Sequence, residues 1–174
     1  MKKLFILMTI SFAGLATNAQ TTQITKRELT HEKRELPSFS YQANEQFLND
    51  FDNVSNVVWR HDSYFDIVSF TKDGISQTAY YDASATLVGT CFDKTFADLP
   101  QSAQNYINKK YAGYTKGPIM LFDDNEANET NMSLYGTQFE DEDNYFIELK
   151  KGNEDFVLRI TPLGGIFWFK TIRS

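Results

Sequence analysis

The sequence predicts an α+β domain: two repeats of a helix plus a four-stranded antiparallel meander, with the helices packed on one face of an extended sheet. Three observations carry this. Apolar residues recur every four positions in two short segments, Phe39-Ala43-Phe47-Phe51 and Leu99-Ala103-Ile107-Tyr111. Each segment is followed by short runs rich in β-branched and aromatic residues, and those runs are separated by Gly, Asp, Asn and Pro. A unit of that size cannot bury its own sheet face, whereas two units can be covered together by two helices.

The first nineteen residues stand apart. Lys2 and Lys3 precede an apolar run from Leu4 to Ala16, and Thr17-Asn18-Ala19 places small residues before a cut at Gln20. This is the secretory pattern, with an apolar stretch short for a bilayer span, so residues 1–19 are expected to be a cleaved signal peptide. No Cys follows the cut to carry a lipid, so no membrane insertion is expected after cleavage, and the protein should be periplasmic or secreted. Residues 20–38 form a polar tail with an imperfect repeat, Lys26-Arg27-Glu28-Leu29 and Lys33-Arg34-Glu35-Leu36, too short for a coiled coil. The folded domain is expected over 39–174.

Cleavage leaves 174 − 19 = 155 residues and takes two lysines with it, so the charge falls from −6 to 15 − 23 = −8. An acidic chain without a basic cluster in its body argues against nucleic acid and anionic membrane surfaces. Cys91 is the only cysteine, so no internal disulfide can form; within Leu87–Phe92 it reads as a buried small hydrophobe rather than a reactive thiol. The core must come from apolar burial, to which 15 Phe, 9 Tyr and 2 Trp contribute.

Repeat one occupies 39–94. Its helix is expected over 41–51, and its strands at Val57–Trp59, Tyr64–Phe70, Ser76–Tyr81 and Thr86–Phe92, with a hairpin turn at Lys72-Asp73-Gly74. Repeat two occupies 95–174. Pro100 suits a helix start and Gly113 a helix stop. Strands follow at Ile119–Phe122, Tyr145–Leu149, Phe156–Ile160 and Ile166–Thr171. An offset of 60 places Trp59 on Ile119, and an offset of 78 places Gly74 on Gly152 and Tyr80 on Leu158. The change locates an insertion of about 18 residues, the acidic segment 123–144, which carries its own apolar fragment Met132-Ser133-Leu134-Tyr135. Trp59 is expected in the core beneath a helix.

Phe47, Phe51, Val57, Trp59, Tyr64, Val68, Phe70, Gly74, Ala79, Tyr81-Asp82, Leu87, Leu99-Pro100, Ile107, Tyr111 and Gly113-Tyr114 together resemble the beta-lactamase-inhibitor-like, PepSY-like domains of exported bacterial proteins. The resemblance spans roughly residues 40–172 and rests on degenerate apolar positions. It implies a periplasmic or secreted binding module. Pro162-Leu163-Gly164-Gly165 departs from the acidic turn at Asp82, and the insertion is long for the family.

No catalytic constellation is apparent. His31 and His61 are the only histidines, and neither a nucleophile elbow nor a phosphate-binding glycine loop occurs. No cofactor is implied. Asp123-Asp124-Asn125-Glu126 and Glu140-Asp141-Glu142-Asp143 could offer oxygen ligands to calcium, but the EF-hand spacing fails and no metal site is assigned. The remaining candidate is a surface. Val68, Phe70, Ala79 and Tyr81 share the helix-facing phase. The opposite phase carries Phe65, Ile67 and Tyr80, where polar residues would be expected on an open face. Phe146 and Trp168 are placed with them, since Phe167-Trp168-Phe169 is aromatic in both phases. These five residues are read as an open aromatic sheet face that engages a protein or peptide. Two alternatives stand beside it: the tail, the insertion or a second copy covers this face, or a small apolar ligand sits between sheet and insertion, for which a closed apolar cavity is expected.

Overall fold

The computed structural model describes residues 39–140 and 142–172; the expected leader and polar tail lie outside the described residues. Its frame is one antiparallel sheet of eight strands in the order β1-β2-β3-β4-β5-β8-β9-β10, with two α-helices. Helix α1 (Tyr41–Asp50) leads into β1 (Ser55–His61), β2 (Asp66–Lys72), β3 (Ile75–Tyr81) and β4 (Leu87–Lys94). Helix α2 (Gln101–Lys110) leads into β5 (Thr115–Asp124), then the small hairpin β6 (Ser133–Leu134) and β7 (Thr137–Gln138), then β8 (Asn144–Lys151), β9 (Glu154–Ile160) and β10 (Ile166–Thr171).

Helix α1 starts where Ser40 accepts the Ala43 amide on its hydroxyl, satisfying a donor that the first turn would otherwise leave unpaired. Its stripe buries Ala43 and Phe47 against Val68, Phe70, Ala79 and Tyr81, and the Tyr81 hydroxyl donates to Asp50 at 3.0 Å. Helix α2 buries Ala103 and Ile107 against Ile119, Ile147, Leu149, Phe156, Leu158 and Ile160. Trp59 belongs to the first of these clusters but is only half-buried, because β1 is an edge strand among the described residues. Phe39 stacks on its ring at 4.5 Å and Phe47 meets it edge-on at 5.6 Å.

The strand pairing does not agree with the offset of 78 expected between the halves. Val68 lies opposite Trp59 and Ile147 opposite Ile119, so with Trp59 aligned on Ile119 the later offset becomes 147 − 68 = 79, and Tyr80 aligns with Arg159 rather than Leu158. The two hairpins place glycine differently. Asp73 and Gly74 both take positive φ (52° and 77°) between the paired residues Lys72 and Ile75, the pattern of a type I′ turn. Between Lys151 and Glu154, Gly152 (φ 60°) comes first, as a type II′ turn requires. Aligning glycine on glycine slips the register by one residue. Both edge strands carry a register break, between Ser55 and Val58 in β1 and between Trp168 and Lys170 in β10. Such bulges discourage pairing with another sheet.

Candidate binding groove

Tyr80 lies between Ala79 and Tyr81 in β3, and its side chain points away from α1, as the strand alternation requires. It is nonetheless buried. Phe65, Ile67, Tyr80 and Phe146 are 4%, 1%, 7% and 0% exposed, within one cluster that includes Val88, Phe122 and Val157. The open aromatic face expected from the sequence is therefore core. What covers it is the insertion: Met132, Leu134 and Phe139, all buried, complete the same cluster. Phe139 meets Phe122 at 5.3 Å, Phe146 at 5.1 Å and Phe169 at 5.9 Å. Gly89 helps seat Phe122, since a Cβ there would lie 2.5 Å from its ring.

Trp168 does not join these residues. The ring that packs with Phe146 from this stretch is Phe169, at 4.9 Å. Trp168 lies opposite Leu158, in the α2 cluster, and stacks on Phe156 at 4.4 Å while 58% exposed. Alternation holds through this stretch, so Phe167 and Phe169 take the face away from α2 and Trp168 the face toward it.

The insertion is tied down at both ends of its path. Asn128 Nδ2 donates to Asp82 Oδ2 at 2.9 Å and to the Leu87 carbonyl at 3.2 Å, and Asn125 Nδ2 donates to the same carbonyl at 2.6 Å. Asp82 Oδ1 meanwhile accepts the amides of Ser84 and Thr86, so one carboxylate orders its own turn and anchors a segment from the other half. Further on, Tyr135 (φ 52°) and Gly136 (φ 66°) turn the β6–β7 hairpin. Lys170 donates to the Tyr135 carbonyl, and the Tyr135 hydroxyl donates to Glu148 at 3.0 Å.

Two clefts flank this hairpin. One, of about 650 Å³, is lined by Tyr64, Phe65, Asp82, Ser84, Thr130 and Gln138 among others. The second, of about 600 Å³, is bordered by Arg60, Asp62, Tyr64, Met120 and Glu148, with Ile67 and Tyr80 at its floor. Tyr64, Ser133 and Gly136 line both. Tyr64 was expected to open a strand, but β2 begins at Asp66 and Tyr64 sits in the preceding loop, 72% exposed. Asp62 holds that loop by accepting the Tyr64 and Phe65 amides at 2.8 and 2.9 Å. The polar run His61-Asp62-Ser63 is the sequence signal for such a turn. Both clefts are open and partly polar, unlike the closed apolar cavity a small-ligand carrier needs.

The polar groups around the clefts hold structure. Asp62, Asp82 and Glu148 each accept the bonds just described. His61 Nδ1 lies 2.8 Å from Asp66 Oδ1, and Asp66 Oδ2 accepts the Ser40 amide at 3.1 Å. Cys91 is buried beside Tyr80, and burial pushes its thiol up to about 12, far from a nucleophile's range. Among the described residues, no three His, Cys, Asp or Glu side chains are grouped to hold a metal ion, and no helix is long and apolar enough to cross a membrane.

No family model and no curated protein matches the sequence. Solved structures do match the fold. A BLIP-like protein from Bacteroides fragilis aligns with a TM-score of 0.61 at 15% identity, over 80% of this chain and 89% of its own. A DUF2874 family protein from Bacteroides uniformis aligns at 0.62 and 15%, over 76% and 88%. A protein from Bacteroides eggerthii described as periplasmic aligns at 0.63 and 12%, over 77% and 89%. The chain has the beta-lactamase-inhibitor-like fold, with its insertion laid across the sheet.

Proposed function

We propose that the protein is a periplasmic or secreted, non-enzymatic module that binds a protein or peptide in the groove around the β6–β7 hairpin. In this reading the chain is two copies of a helix-and-meander unit; the helices cover one sheet face and the insertion narrows the other to two clefts. The observation that carries it is Tyr64, an exposed ring shared by both clefts on a loop whose backbone Asp62 caps. A loop fixed by such capping loses little backbone freedom on binding, which suits it to present an anchor. The BLIP-like and periplasmic neighbours support the class of function and compartment, through the fold.

The test is capture from envelope extract, with bound proteins identified and their recovery quantified for three forms. Tyr64→Ser should abolish capture while its unfolding midpoint stays unchanged. Tyr41→Ser, which removes an equally exposed ring from α1, should capture as the wild type does. Equal recovery by all three forms would rule out the groove.

A further inference from the structure

At the far end of the sheet from β1, on the α2 side, four rings and two carboxylates line an open pocket of about 400 Å³: Tyr111, Tyr114, Phe156 and Trp168, with Glu154 and Asp155. We propose that this pocket binds an arginine side chain of a peptide or protein partner, its guanidinium stacked on Trp168 and paired with Glu154. This is a second site, separate from the groove around the hairpin.

Four features converge. Trp168 is backed by Phe156 at 4.4 Å with an interplanar angle of 26°, so the indole is braced flat while the residue remains 58% exposed. A flat, braced indole suits a planar guanidinium better than a compact ammonium. Every charged residue lining the pocket is acidic. Asp155 is already engaged by Lys150 at 3.4 Å, but among the described residues Glu154 accepts only the Tyr114 hydroxyl, leaving its carboxylate available to a forked donor. Tyr111 is the C-cap of α2, so the partial negative charge of that helix end falls at the pocket.

The surrounding cations show what these rings attract. Lys110 sits 5.6 Å from the Tyr111 ring and Lys151 5.3 Å from that of Tyr114, yet neither lines the pocket. Among the described residues no cation lies over Trp168, although indole is the strongest cation-binding ring.

The chain contains two tryptophans, Trp59 and Trp168, so their indole N–H signals in an NMR spectrum of the isotope-labelled protein separate the sites. Titration with a blocked Gly-Arg-Gly peptide should shift the Trp168 signal saturably and leave Trp59 still. The same peptide with citrulline, equally flat but uncharged, should not. Glu154→Gln, which keeps an acceptor for Tyr114, should weaken binding roughly two- to fivefold, as loss of an exposed ion pair does. Tyr64→Ser should change nothing here, which keeps this site distinct from the groove. No saturable shift, or equal shifts from arginine and citrulline, would overturn the proposal.

Discussion

Asn128 Nδ2 donates to Asp82 Oδ2 at 2.9 Å, joining residues 46 apart in sequence. Through this bond the segment between β5 and β8 is fastened to the turn between β3 and β4. The same amide reaches the Leu87 carbonyl, and the Asn128 side-chain oxygen accepts the Thr130 amide.

Asn128→Ala should therefore cost about 1–3 kcal/mol in urea unfolding, because it leaves buried partners unsatisfied. Asn128→Asp should cost at least as much, since a second carboxylate would face Asp82. A loss below about 0.5 kcal/mol for both would mean that the insertion is held by its apolar residues alone.

The buried Asp66 should make stability acid-sensitive. Burial alone would raise its pKa, but the hydrogen bonds from Ser40 and His61 prevail and hold it below the ordinary 3.8. Because the folded value is the lower one, the unfolded chain binds more protons. The contribution is complete above the unfolded value and is lost as pH falls through the folded one. Unfolding free energy measured from pH 5.5 down to 3 should fall more steeply for the wild type than for Asp66→Asn. Parallel curves would show that this cluster contributes nothing to the pH dependence.

Cys91 should behave as core. At pH 8 iodoacetamide should leave the native protein unmodified and label it fully in urea, since burial both hides the thiol and disfavours the thiolate. Labelling of the native protein at a free thiol's rate would place the β4 face in solvent.

The strand phase was legible in the sequence because alternation is local. Val68 and Phe70 point to the helices and Ile67 and Tyr80 away from them, as read from the residues themselves. What covers the second face is left open in the sequence between tail, insertion and second copy. Met132, Leu134 and Phe139 sit among Asp, Glu and Asn without a sustained period, so nothing local marks the insertion as the segment that fills the core. The bonds that place it, from Asn125 and Asn128 to Leu87 and Asp82, span about forty residues and leave no local pattern. The place of Trp168, facing α2, was not legible for a different reason: Phe167-Trp168-Phe169 is aromatic at every position, so the residues alone do not say which ring takes which face. Tyr64 reads as a strand residue because its neighbours are strand formers, whereas the Asp62 cap places it in a loop.

The sheet face opposite the helices is core under the insertion, and the accessible ring beside it is Tyr64. Urea unfolding of Tyr80→Ser and Tyr64→Ser tests this most directly. A loss of about 3–5 kcal/mol is expected for Tyr80→Ser, typical of truncating a buried aromatic, and a change within about 0.5 kcal/mol for Tyr64→Ser. Two near-neutral variants would contradict it, because Tyr80 would then lie on an open face with the insertion standing clear of the sheet.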